Sequence, residues 1–293
     1  MSIIERALDK LRTHSNEGSH QAPRPPARLR EPAVTPAHER RPPAETIEVD
    51  LEALRALGLV PPAAFGEQIT EQFRRVKWPL LESALGRGAA GAPPGNRVLI
   101  TSSIAGEGKT FVCFNLALSI ARERDLDVLL VDGDVAKRHL TRVLGADARP
   151  GLTDAAADAQ LDVEQLVLGT SIEGLTFLPS GRSTTIASEL FTSRRMAELV
   201  ERLHSADPRR IVLFDCSPLL ATNETQVLAS LVDQVVLVVC AESTSQPLVL
   251  EAISLLDRGK QIRCLLNQTR LSRVNEYYYY GYGYPANEQP RQP

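Results

Sequence analysis

The stretch "RVLITSSIAGEGKTFVCFNLALSIA", residues 97–121, passes from an apolar run through a glycine-containing turn into an apolar helical pattern. A nearly continuous apolar run such as "RVLITS" suits a strand covered on both faces. Gly106 and Gly108 let the chain turn tightly, so that successive backbone N–H groups can converge on an anion. Lys109 follows where its ammonium can reach terminal phosphates, and Thr110 places a hydroxyl suited to Mg²⁺. Ser103 stands at the position of the first glycine in the general phosphate-loop pattern. Strand, loop and helix in this order predict a nucleotide phosphate site over a chance glycine-rich turn.

Outward from this stretch, the runs "DVLLVD", "LTFLP", "RIVLFD", "QVVLVV" and "IRCLLN" alternate with helical segments. That alternation predicts an α/β fold, a mainly parallel sheet flanked by helices, and the phosphate-loop pattern places it among P-loop NTPases. Ligands of such sheets bind beyond the carboxyl ends of the strands. Asp132 and Asp134 leave one strand end together, on the same side by the two-residue period. Asp215 ends the run "RIVLFD" at the same rim. Three carboxylates beside a phosphate loop suit a metal–triphosphate site. The plain alternative is strand-end aspartates that cap the following helices. Asn267 closes the last run, and it reads equally as a partner for an adenine edge and as a turn residue.

The 293 residues are 43% hydrophobic and carry a net charge of −3, enough for a large core and without the basic field that nucleic acid attracts. The four cysteines, Cys113, Cys216, Cys240 and Cys264, lie far apart in apolar segments, as reduced core residues would. No apolar run approaches the ~18 residues of a membrane span, and "MSIIERALDKLR" is too charged for a signal peptide. Residues 1–13 predict an amphipathic helix, and residues 14–45, rich in Pro, Arg and Glu, predict a disordered tether. Residues 46–95 read as a helical segment. Asp50 caps "LEALRALG", Gly58 ends it, and a longer helix is expected to kink or break at Pro79. Residues 96–269 form the phosphate-loop domain. Residues 270–293 form a tail holding all six tyrosines: Tyr277, Tyr278, Tyr279, Tyr280, Tyr282 and Tyr284.

"SSIAGEGKT", "VLLVDGD" and "IVLFDCSP", followed by a terminal tyrosine cluster, resemble the Walker A, A′ and B motifs of the bacterial protein-tyrosine kinases (BY-kinases). The N-terminal "MSIIERALDKL" and "ITEQFRRVKWPLL" look most like the exosortase-associated tyrosine autokinases of exopolysaccharide clusters. The resemblance implies a sheet of the MinD/ParA-like (SIMIBI) type and an ATP-dependent kinase that phosphorylates its own tyrosines. It implies that Gly106, Glu107, Gly108, Lys109 and Thr110, with Ser103, Ala105, Phe111 and Asn267 beside them, hold ATP. Thr110, Asp132, Asp134 and Asp215 would order Mg²⁺, and Lys109 with the three aspartates would be catalytic. Glu71, Arg74 and Lys77 fit the family's Glu-x-x-Arg-x-x-Arg helix, which joins subunits into a ring, an octamer in that family. By residues alone, Glu71 and Arg74 are an exposed pair worth a few tenths of a kcal/mol, roughly. The resemblance also implies a membrane-embedded polysaccharide chain-length regulator as activator, an opposing tyrosine phosphatase, and a cytoplasmic location at the inner face of the membrane through that partner.

Two departures from the family pattern stand out. Ala136 replaces a basic residue, with Lys137 and Arg138 just beyond, and Ser217 replaces the first proline of the Walker B motif. Two other functions compete with the kinase. A MinD/ParA-like positioning ATPase would show ATP-dependent assembly without phosphotyrosine, although Ile104 stands where those ATPases carry a signature lysine. A scaffold with an aromatic, sticky tail would keep its function when every tail tyrosine is Phe.

Overall fold

The computed structural model describes residues 43, 45–86, 95–207 and 209–269. The expected helix at 1–13, nearly all of the tether at 14–45 and the tyrosine tail lie outside the described residues. The chain runs through β1 (Thr46–Ile47), α1 (Leu51–Ala56), α2 (Gly66–Ala84), β2 (Arg97–Ser102), α3 (Lys109–Ala121) and β3 (Asp127–Asp132). It continues with α4 (His139–Val143), α5 (Leu152–Ala157), β4 (Leu168–Thr170), β5 (Leu175–Leu178), α6 (Ala187–Thr192) and α7 (Arg194–Ser205). β6 (Arg210–Asp215), α8 (Asn223–Leu231), β7 (Gln234–Cys240), α9 (Gln246–Ser254) and β8 (Gln261–Asn267) complete it.

The eight strands form one sheet in the order β1-β4-β5-β3-β6-β2-β7-β8. Every pairing is parallel except β4 with β5. The inner strands read as unbroken apolar runs because both faces are covered. Val98, Ile100, Val128, Leu130, Leu213 and Val236 face one core, whereas Leu99, Leu129, Val131, Val212, Phe214 and Leu237 face the other. From β2 the chain passes β6 to reach β3, whereas from β6 it passes β2 to reach β7, so the strand order reverses at β2. The crevice beyond its carboxyl end is therefore where a ligand fits.

The described residues add to the expectations from sequence and in places depart from them. The segment 46–95 is not purely helical: β1 pairs with β4, and these two short strands carried no apolar pattern long enough to announce them. Residues 46–95 and 96–269 fold as one unit, because α2 buries Phe73, Leu80, Leu81 and Ala84 in the core that also receives α3. Pro79 does not break α2, which runs from Gly66 to Ala84 with the proline inside it. The sheet supports the end of that helix. Arg263 Nη2 donates to the Pro79 carbonyl at 3.0 Å, and Gln234 Nε2 donates to the Leu80 carbonyl at 3.1 Å. These bonds tie the last turns of α2 to β7 and β8. At α1, Asp50 caps as expected, accepting from Glu52 and Ala53 N–H at 2.9 and 3.0 Å. Of the cysteines, Cys113 and Cys216 are buried, but Cys264 is exposed because β8 is an edge strand.

Candidate active site

The phosphate loop starts where β2 ends. Gly106 and Gly108 take φ of +91° and +85°, the left-handed region that other residues enter only at a cost. α3 then begins at Lys109 with no side chain capping its first turn. Its first N–H groups have no partner within the helix, and with the helix dipole they make an anion site. Ala105 and Gly106 are exposed at the loop tip, while Ser103 is fully buried and its hydroxyl has no hydrogen-bond partner.

Glu107, grouped by resemblance with the ATP-holding residues, turns its side chain inward and is 1% exposed. Its carboxylate accepts from Ile104 N–H at 2.8 Å, Cys240 N–H at 3.2 Å and the Thr244 hydroxyl at 2.5 Å. The side chain braces the loop and leaves only its backbone for an anion. Asn267 also turns to the loop, its Nδ2 donating to the Glu107 carbonyl at 2.9 Å. The Phe111 ring packs on Phe73 of α2, with centroids 6.1 Å apart, and so faces the core.

The three aspartates have three different environments. Asp132 and Asp215 are register partners on adjacent parallel strands, so their carboxyl groups leave the sheet side by side. Asp132 is taken up by its own side of the fold: it accepts from Thr141 N–H at 2.8 Å, the Thr141 hydroxyl at 2.7 Å and Asp134 N–H at 3.2 Å. Burial pushes its pKa up to about 6 in spite of those bonds. Asp134 accepts from Lys109 Nζ at 3.1 Å, the Ser217 hydroxyl at 2.7 Å and Lys137 N–H at 3.1 Å. Burial works against its charge, but Lys109 and these bonds prevail and hold its pKa below the usual range. Lys109 is likewise penalised by burial, yet Asp215 and Asp134 keep its pKa raised.

Asp215 is the exception. It is 1% exposed, and neither carboxylate oxygen has a hydrogen-bond partner. Burial pushes its pKa up to about 7, partly offset by Lys109 and the nearby Thr110 hydroxyl and reinforced by Asp132. A buried carboxylate without a donor is costly unless a cation joins it. Asp215 with the Thr110 hydroxyl therefore fits Mg²⁺, which takes few protein ligands and keeps waters and phosphate oxygens. The three carboxylates meet at one rim but are held differently. Among the described residues no three His, Cys, Asp or Glu side chains are grouped to hold a metal ion, since Asp132 is spent on Thr141 and Asp134 on Lys109 and Ser217.

The departures acquire physical content. Ser217 supplies the hydroxyl that holds Asp134, a bond that proline cannot make. Arg138 does not stand in for the missing basic residue at Ala136. It takes φ +49° and points its guanidinium at the Ser180 hydroxyl, 3.2 Å, and the Asp147 carbonyl, 3.2 Å. Thr141, Thr244, Ser217 and Gln268 were not singled out as site residues from sequence. Each acts through a tertiary contact on a motif residue, and nothing in its own neighbourhood in the chain signals that. Lys77, placed by resemblance at a subunit interface, is 7% exposed and donates to the Ser119 carbonyl at 2.8 Å and to Glu123 at 2.5 Å. It fastens α2 to the end of α3, whereas Arg74 Nη1 pairs with Glu71 at 2.7 Å on the outer face.

No family model matches the chain. Among curated proteins it is similar to EpsB of Ralstonia solanacearum, with 35% identity over 205 residues, 67% of this chain and 27% of that protein. It is also similar to the tyrosine-protein kinase YwqD of Bacillus subtilis strain 168, with 32% identity over 186 residues, 63% of this chain and 77% of that protein. Among solved structures, the VpsO kinase domain superposes with a TM-score of 0.57 and 28% identity, covering 72% of this chain and 100% of that one. The chain thus spans about a quarter of the length of EpsB and most of the length of YwqD.

Proposed function

The chain belongs to the bacterial tyrosine-protein kinase family, and from that premise we propose that it transfers the γ-phosphoryl group of ATP to tyrosines of its own C-terminal tail. The observation that carries this is the charge arrangement at one rim: an uncapped helix start, Lys109 on Asp134, and Asp215 with both oxygens unpartnered. The loop N–H groups and the first turn of α3 would hold the triphosphate. Asp215 and Thr110 would hold Mg²⁺, which when bound neutralises charge on the phosphates.

Lys109 has two partners to choose between. Its Nζ donates to Asp134 Oδ2 at 3.1 Å. Drawn to the γ-phosphate, it leaves that oxygen free, while Ser217 and the Lys137 N–H keep the other oxygen in place. Asp134 then accepts the hydrogen bond, and finally the proton, of an incoming phenol. The phenolate oxygen bonds to phosphorus as the bond to the bridging oxygen breaks, and ADP leaves. A Tyr hydroxyl, with a pKa near ~10, needs such a carboxylate partner to attack at neutral pH. Charge neutralisation by Lys109 and positioning supply most of the acceleration in this loose transition state.

The resemblance supports the wider role. The kinase acts in a ring of its own copies at the inner face of the membrane, activated by a membrane polysaccharide chain-length regulator and reversed by a tyrosine phosphatase, in exopolysaccharide synthesis and export. Among the described residues no helix is long and apolar enough to cross a membrane. The test is mass spectrometry of the tail after incubation with Mg·ATP. Lys109→Met is expected to lower phosphotyrosine at residues 277–284 by about 10²–10³-fold. Undiminished labelling of that variant would remove the assignment, and ATP turnover without any phosphotyrosine would favour the positioning ATPase.

A further inference from the structure

A loop that points its N–H groups at a phosphate must point its carbonyls the other way, and those carbonyls need donors. Asn267, the last residue of β8, and Gln268, the next, supply them. Asn267 Nδ2 donates to the Glu107 carbonyl at 2.9 Å, and Gln268 Nε2 donates to the Gly106 carbonyl at 3.0 Å. The contact is close. A Cβ added to Gly108 would stand 2.1 Å from Asn267 Nδ2, so the amide occupies the space that the glycine leaves. Gln268 itself takes φ +58°, an unusual conformation for a residue with a side chain, and its Oε1 accepts from Cys240 Sγ at 3.1 Å. Its amide is thus oriented at both ends: oxygen to the thiol, nitrogen to the loop.

We infer that Asn267 and Gln268 are positioning residues that clamp the outer carbonyls of Gly106 and Glu107 and so hold the phosphate loop open for the triphosphate. The clamp rests on the proposal that this loop binds nucleotide. Its energetic logic is preorganisation: backbone donors already aimed lose less on binding than donors that must first be ordered. Asn267 spends its donor on the loop here, not on a base edge. Neither residue touches the reacting atoms, so the clamp should act on nucleotide affinity and leave the chemical step unchanged.

The full chain is tested with Mg²⁺ and mant-ATP, beside steady-state labelling of the tail. Gln268→Met keeps length and neutrality but removes the donor. It is expected to weaken mant-ATP binding about three- to tenfold, the worth of one hydrogen bond, and to raise KM for ATP with kcat within about twofold. Gln268→Lys restores a donor of similar reach and should return affinity to within about twofold of wild type at about 0.5 M salt, where its charge is screened. A purely structural contact would lower melting in Gln268→Met yet leave the mant-ATP affinity of the folded protein unchanged. Wild-type affinity in Gln268→Met, or equal impairment of the Met and Lys variants, overturns the clamp. Asn267→Asp should weaken mant-ATP and mant-GTP by the same factor; a loss confined to mant-ATP assigns Asn267 to the base and overturns its place in the clamp. A wild-type chain that binds no mant-ATP overturns the nucleotide assignment itself, and is thereby distinguished from failure of the clamp alone.

Discussion

At the scale of single residues, identical chemistry is separated by surroundings. Asp132, Asp134 and Asp215 are all strand-end aspartates, yet Thr141 satisfies one, Lys109 and Ser217 another, and the third has only the nearby Thr110 hydroxyl and the charge of Lys109. This difference sets a pH dependence. Burial raises Asp215 to about 7 and Asp132 to about 6, so both hold their protons more tightly folded than unfolded. Their stability contribution is complete below the unfolded value near ~4 and is lost as pH rises through about 6 to 7. Metal- and nucleotide-free protein should therefore melt lower at about pH 8 than at about pH 5. Asp215→Asn should flatten that decline and raise the pH 8 midpoint by several degrees, from a gain on the order of 2–4 kcal/mol. A variant that melts like wild type at both pH values would show that Asp215 has a donor after all. The chain order makes it plain that these aspartates meet at one rim, because a two-residue period and a parallel sheet require it. Which one lacks a donor depends on Thr141 and Ser217, which reach them across the fold.

At the scale of elements, α2 shows how a helix can carry a motif and use it for a different purpose. Glu71 and Arg74 stand on its outer face and Lys77 on its inner one, since each three-residue step turns the helix by about 60° and brings Lys77 about 120° round from Glu71. Lys77 crosses to the last turn of α3, where the Ser119 carbonyl and Glu123 receive its ammonium. Lys77→Met should cost about 1–3 kcal/mol and lower the midpoint by a few degrees at every protein concentration. An unchanged midpoint with altered sedimentation would return Lys77 to a subunit interface. Six of the strands were legible as apolar runs, since strands buried on both faces must be apolar throughout. β1 and β4 were not, being two and three residues long and stabilised by each other rather than by pattern. The uninterrupted course of α2 through Pro79 was also hidden, because the donors that steady its end come from Gln234 and Arg263, more than 150 residues later in the chain.

At the scale of the whole molecule, the proposed reaction joins a site in the folded domain to tyrosines that begin ten residues after β8. At ~3.3–3.6 Å per residue, a linker of that length reaches roughly 35 Å, enough to enter the site of a neighbouring copy. Transfer between copies is the expected route. When a Lys109→Met chain with its tyrosines intact is mixed with an active chain whose six tyrosines are Phe, label should appear on the Lys109→Met chain. An unlabelled Lys109→Met chain would count against transfer between copies. The sequence by itself determined the parallel α/β architecture, the phosphate loop, the rim of aspartates and the confinement of every tyrosine to residues 277–284. These follow from local pattern: hydrophobic period, glycine at a turn, and residues at strand ends. Tertiary structure alone decided that Asp215 is the aspartate with no charged or backbone donor, that Lys77 is a strut, that Glu107 faces inward, and that Asn267 and Gln268 grip the loop. Each of those outcomes depends on a hydrogen-bond partner distant in the chain, and pairing across such distances is set by how the sheet and its helices pack.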